Sequence, residues 1–238
     1  MNKLIKLQLR NIFHNRLFYS CLILILILFP IISFWGTISG IQPEKIQVMP
    51  QVVRLLSTEI GVVSTIFITV FTCFDFGEGT SKNIIARGYS KGQFFRAKFI
   101  SALIGLFTMY IVVFIVDFVL FIGNGLGYEA NMPLIIISNI VKIIAYTMIF
   151  VTVSFVLEKN ASAIIACVIG PSLISTVLGL VDSKLKFDIS KFWIGNISSQ
   201  FAENPTTGNL TTAVILYIVY IVVFAIIGLH FANKKEIK

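Results

Sequence analysis

The sequence predicts an all-α membrane protein: six transmembrane helices, an interfacial helix at the N-terminus, and a short cytoplasmic helix between spans two and three. Three observations carry this. The composition is 57% hydrophobic and 13% charged, with mean hydropathy +0.93, whereas a water-soluble domain has about a quarter charged residues. The apolar residues gather in runs long enough to cross a bilayer core. The Lys and Arg residues sit at the ends of those runs rather than in one stripe, so the formal charge of +8 points to a membrane surface and away from nucleic acid.

Residues 1–16 mix Leu4, Ile5, Leu7, Ile12 and Phe13 with Lys3, Lys6, Arg10 and Arg16. The apolar positions do not form a clean single stripe, but the segment suits a helix in the headgroup region with its cations toward anionic lipid. The first span covers residues 17–35, about 28 Å of helix. It is too long for the apolar core of a signal peptide and no Ala-x-Ala site follows, so it reads as a retained anchor. Pro30 is placed to kink it and Trp35 to sit in an aromatic belt. A loop over residues 37–57 follows, interrupted by Pro43 and Pro50.

The second span covers residues 58–74. Thr58, Gly61, Thr65, Thr69 and Thr72 recur at steps of three and four, which places small or hydroxyl side chains on one helical face. Such a face favours close helix packing; the alternative is that Thr65, Thr69 and Thr72 line a translocation surface. The third span covers 99–122, the fourth 134–156, the fifth 161–181 and the last 210–231. Between the third and fourth, Gly123, Asn124, Gly125 and Gly127 form a turn, because no strand precedes them to make a dinucleotide loop. Glu158, Lys159 and Asn160 make a tight turn, Ser162, Ala166 and Gly170 a small-residue packing edge, and Pro171 a point where the fifth helix is expected to break. Residues 182–209 are expected to form amphipathic helical turns in the outer interface.

The distribution of Lys and Arg orients these spans. Thirteen fall on the proposed inner side and five on the outer, which places both termini in the cytoplasm and makes the number of spans even. The remaining base, Lys142, lies inside a span, as does Asp117. Each costs roughly 2.5–3.5 kcal/mol at a helix centre. Both are expected in the outer halves of consecutive helices, where they would pair; the pair is either a structural link or a polar point on a substrate path. Cys21, Cys73 and Cys167 have no metal-ligand spacing and read as small packing residues. The chain has no Gly-x-x-x-x-Gly-Lys-Ser/Thr loop, no His-Glu-x-x-His and no Gly-x-Ser-x-Gly, and so carries no phosphate-cradling loop of that type, no such zinc motif and no nucleophile elbow.

One polar stretch, residues 74–98, interrupts the apolar sequence and carries Asp75, Glu78, Lys82, Arg87, Lys91, Arg96 and Lys98. Gly77 and Gly79 permit a turn, and Gly88 can end a helical turn over 81–87. On composition alone it is a cytosolic loop, basic by the insertion bias. Its pattern adds more. Asp75 and Phe76, then Gly79-Thr80, Lys82, Gly88, Ser90, Lys91 and finally Lys98 resemble a motif of the type 2 permease subunits of ATP-binding cassette transporters. In that family an acidic residue, more often Glu, closes the second span, and a Lys opens the third.

The resemblance implies a permease with no ATP site of its own, working with a separate ATPase subunit that holds ATP and Mg. It also implies a second permease copy, identical or a related paralogue. Asp75, Phe76, Glu78, Gly79, Thr80, Lys82, Arg87, Gly88, Ser90, Lys91 and Lys98 would then form the coupling element that meets the ATPase. The protein would reside in a bacterial plasma membrane. A short chain with small outer loops is similar to permeases exporting amphipathic peptides such as phenol-soluble modulins or lantibiotics; drug or lipid export stays open. Two other classes also stay open: a membrane sensor or scaffold subunit, and a membrane-embedded enzyme, for which Glu59, Asp117 and Lys142 are too scattered.

Overall fold

A computed structural model describes the backbone of residues 1–38, 48–123, 132–185 and 188–234. Within these, the side chains of residues 28–38, 48–60, 116–118, 120–123, 132, 185, 199 and 202–203 lie outside the description. The described residues contain helices and no strand. In order they are α1 (Asn2–His14), α2 (Arg16–Ile38), α3 (Val48–Gly77), α4 (Thr80–Ala86), α5 (Lys91–Gly123), α6 (Met132–Leu157), α7 (Asn160–Leu185), a 3₁₀ turn (Ile189–Phe192), α8 (Ile194–Glu203) and α9 (Thr207–Lys234).

Four helical stretches among the described residues are long and apolar enough to cross a membrane: Lys91–Ile115, Pro133–Leu157, Asn160–Lys184 and Thr207–Lys234. A fifth arises if the bent pair Gly61–Gly77 and Thr80–Ala86 counts as one span. This is the profile of a membrane-embedded protein. The described apolar part of α2, Arg16–Ile27, is shorter.

Several helix ends differ from the sequence reading, each for a local reason. Residues 48–57, expected in a loop, are helical because Pro50 falls in the first turn of α3, where its missing N–H has no helical acceptor to lose. Helix α5 begins at Lys91 rather than at residue 99, where the third span was expected to start. Ser90 and Gln93 cap it reciprocally: Ser90 N–H donates to Gln93 Oε1 at 2.9 Å, and Gln93 N–H to Ser90 Oγ at 3.1 Å. Pro171 does not break α7, which runs through it; in an apolar setting neighbouring groups and local adjustments accommodate the freed carbonyl. The packed edge of α7 is formed by Ala163 and Cys167, not by Ser162, Ala166 and Gly170. The glycine turn after the third span lies outside the described residues beyond Gly123.

The bundle is built around α3, which packs against α2, α5, α6 and α7. The longest shared seam is between α6 and α9. At Gly228 on α9 both α5 and α6 come close: an added Cβ would lie 2.3 Å from Phe95 Cζ of α5 and 2.9 Å from Thr152 Oγ1 of α6. Thr152 also donates to the carbonyl of Phe224 at 3.1 Å. All three cysteines are buried free thiols. Outside, α7 and α9 present Ile165, Leu173, Leu180, Ile215, Val219 and Ile226 to their surroundings, a surface suited to lipid or to another apolar face.

Both ends of the described chain meet at one end of this bundle. Gln8 of α1 touches Asp75 at the foot of α3, and an added Cβ at Gly92 would lie 3.3 Å from Asn233 near the end of α9. The tight turn after α6, with Glu158 at φ 59°, is at the same end, because Phe155 packs on Phe76, Phe94 and Phe95. At the other end, α8 and the 3₁₀ turn lie against α6, α7 and α9. Ile194, Ile197 and Phe201 are buried, whereas Ile189 and Phe192 are exposed, which is the amphipathic pattern expected of residues 182–209.

Candidate functional site

The chain turns sharply at the foot of α3. Gly77 ends the helix, and Gly79 adopts φ 66°, a left-handed conformation that glycine enters without penalty. The backbone bonds Glu78 N–H to Phe74 O (3.0 Å) and Gly79 N–H to Phe76 O (3.3 Å) close the turn. The next helix, α4, leaves at 66° to α3. It ends at Ala86, and Gly88, just past the capping Arg87, has a φ of 88° that again uses the left-handed region. The expected short helix between two glycine turns is therefore present, one residue earlier than read.

This helix has two faces. Ser81 and Ile84 point inward and are buried. Lys82, Asn83, Ala86 and Arg87 are exposed, and Glu78 and Gly88 flank them. Gly79, Thr80, Phe76 and Lys91 are partly buried, and Ser90 is exposed in its capping role. Phe76 packs edge-on against Phe94 and Phe155, with ring centroids 6.0 and 5.0 Å apart. The aromatic cluster thus ties the start of the bend to α5 and α6.

Behind α4 lies a buried ion pair. Lys98 Nζ is 2.9 Å from Asp75 Oδ2, with side chains 1% and 2% exposed. The ammonium also donates to the carbonyl of Phe71 at 2.8 Å and lies 3.8 Å from the centre of the Phe71 ring. Phe71 and Asp75 are one turn apart on α3, so the amine is clamped along that helix. Gln8 of α1, fully buried between Leu4 and Ile12, donates from Nε2 to the same Asp75 oxygen at 2.8 Å. Three elements therefore meet at one carboxylate. The charges are removed from water at a cost that only their mutual geometry offsets. Asp75 and Lys98 consequently brace the turn from within, while Lys82 and Arg87 face outward.

Sequence reading singled out Asp75 and Lys98 separately but not their pairing, and it missed Gln8. The signal for Gln8 was available: one amide at the centre of a buried stripe, Leu4-Gln8-Ile12, spaced by four. The cations interleaved with Leu7 and Leu9 hid that stripe.

The intramembrane polar residues form two other groups. Thr65, Thr69 and Thr72 are all buried. Thr65 Oγ1 donates to Gly61 O at 2.5 Å and Thr69 Oγ1 to Thr65 O at 2.6 Å. The neighbouring Cys73 Sγ contacts Ser154 O on α6 at 3.6 Å, so this side of α3 is a packing seam in this conformation. Lys142 is buried and donates to Ser198 Oγ on α8 at 2.9 Å. The Asp117 side chain lies outside the described residues, and with it the expected Asp117–Lys142 pair. Among the described residues no three His, Cys, Asp or Glu side chains gather where a metal ion could be held. No protein-family model and no curated protein matches the chain.

Proposed function

We propose that this chain is the membrane permease of an ATP-driven exporter, with α4 as the element that meets a separate ATPase subunit. One observation carries the reading: a short helix with an exposed polar face, between two apolar helices, is set at 66° to the first of them and braced by a buried ion pair that joins the two. A solvated loop needs no such bracket. A part that transmits force does, because displacement of α4 must move α3 and α5 rather than dissipate in the turn. The fit of residues 74–98 to the permease motif supports the same reading, with Asp75 in the place more often held by Glu.

In this proposal the chain has six spans, with α2 and α3 the first two, in a bacterial plasma membrane. Both ends of the described residues lie at the end of the bundle that bears α4, which supports an even number of crossings and cytoplasmic termini. ATP and Mg belong to the partner ATPase. A second permease copy would cover part of the apolar outer surface, and the path would open between the two copies. A path along Thr65, Thr69 and Thr72 would require α6 and α7 to part from α3. The cargo class, amphipathic peptides or similar hydrophobic compounds, rests on the resemblance alone.

The reading is tested by placing a photo-crosslinking residue at exposed Asn83 and irradiating cells. Capture of a chain bearing Gly-x-x-x-x-Gly-Lys-Ser/Thr supports it. Crosslinks confined to lipid, with the protein folded, refute it.

A further inference from the structure

We infer that the outer face of α1 is a binding surface for anionic lipid headgroups, and that Gln8 passes its occupancy to α4. The inference concerns this chain and the bilayer, and it holds whether or not an ATPase sits on α4.

The helix has two opposed faces. Leu4, Gln8 and Ile12 are buried against the bundle, chiefly on α5. Lys3, Lys6 and Arg10 are exposed, and at the spacing of an α-helix they occupy the opposite side. No acidic residue occurs in α1, so nothing on the helix neutralises them. Leu7, 38% exposed, flanks the three cations on the side of Lys3. Cations with an exposed leucine at their edge suit a headgroup layer, where the charges meet phosphate and the leucine reaches the acyl boundary. A groove on an acidic protein would complement the charges but would leave the leucine unexplained. Position agrees: only Asn15 separates α1 from the apolar α2, so the helix lies directly beside an apolar element.

The link inward is Gln8. Its amide reaches the Asp75 oxygen that also receives Lys98, and Asp75 stands at the foot of α3, immediately before the turn into α4. Lipid that holds α1 against the headgroups therefore holds the Asp75–Lys98 bracket and the orientation of α4. Each Lys or Arg near an anionic surface contributes about 1 kcal/mol, or about fivefold in affinity; the share of this that reaches α4 through Gln8 is the coupling between the two helices.

The test uses the full chain in nanodiscs of phosphatidylcholine with or without phosphatidylglycerol, read by amide hydrogen exchange. The anionic lipid should slow exchange in both α1 and α4, by about fivefold at the low end of such couplings. Lys3→Gln/Lys6→Gln/Arg10→Gln should abolish the response of both helices. Gln8→Leu, which keeps the buried stripe apolar, should preserve the response of α1 and lose that of α4. Equal exchange in the two lipids would overturn the surface assignment. So would protection of α1 that ignores phosphatidylglycerol and arises only with added polyglutamate, since that assigns the face to a protein. A Gln8→Leu protein whose α4 still responds would overturn the link.

Discussion

Lys98→Met should harm the fold more than removal of both charges together. The single change leaves the Asp75 carboxylate buried and short of its cation, a loss of about 3–5 kcal/mol, whereas an apolar pair of similar volume is often neutral or better. Thermal unfolding in detergent should therefore place Asp75→Leu/Lys98→Met above Lys98→Met; equal stabilities would mean the pair is not the brace described. Gln8→Ala should cost less, about 1–3 kcal/mol, because it removes one hydrogen bond and leaves the ion pair. At this scale the sequence announced the charges and concealed their geometry. Asp75 and Lys98 stood out because each was a charge at the edge of an apolar run. Their contact depends on the α4 turn bringing the feet of α3 and α5 together, and a pattern read along one chain carries no such distance. For Lys142, the sequence marked a buried base and offered Asp117, whose side chain lies outside the described residues, as its partner; Ser198 of α8, one partner it has, was not legible because it comes from a segment far along the chain.

The helices were legible where periodicity was long and less so where an end depended on a cap. The Ser-x-x-Gln box at residues 90–93 is visible in the sequence, but the basic residues beside it favour a loop, and α5 starts at Lys91, earlier than the apolar run alone implies. Ser90→Ala should remove both capping bonds and cost about 1 kcal/mol, seen as faster amide exchange in the first turn after Lys91. Glycines separate by environment in the same way. An added Cβ at Gly88 would meet nothing within 4 Å, so Gly88→Ala carries only the backbone penalty of a positive φ, on the order of 1 kcal/mol. At Gly228 the added Cβ would collide with Phe95, which is 2% exposed. Gly228→Ala should cost about 1–3 kcal/mol by overpacking and loosen α9 from α5. Matching melting temperatures for these two variants would contradict the close approach of α9 to Phe95. Pro171 teaches the complementary point: a proline expected to stop a helix in water is tolerated in a long apolar helix of membrane-spanning length.

The all-helical, membrane-embedded character of the molecule was the easiest property to read, because hydropathy over long windows reports the solvent rather than the contacts; of the six spans expected, four or five are long and apolar enough among the described residues. What hydropathy could not supply was which faces turn inward. The small-residue edge expected on α7 is largely outside, and the helix buries Ala163 and Cys167 instead. The apolar surfaces left on α7 and α9 are ample for a second copy, and the proposal predicts that the complex carries two permeases; native mass measurement in nanodiscs should find two, and a single copy in an active complex would contradict it. The central claim is that α4 transmits force between a partner ATPase and the bundle. The decisive measurement is ATP turnover by the reconstituted complex, wild type against Lys82→Glu/Arg87→Glu. Both residues are exposed on or beside α4, so the chain should still fold and be recovered in equal amount. The account predicts turnover lowered by about tenfold or more, equivalent to about 1.4 kcal/mol of lost coupling. A folded variant whose complex turns over ATP at the wild-type rate would contradict it.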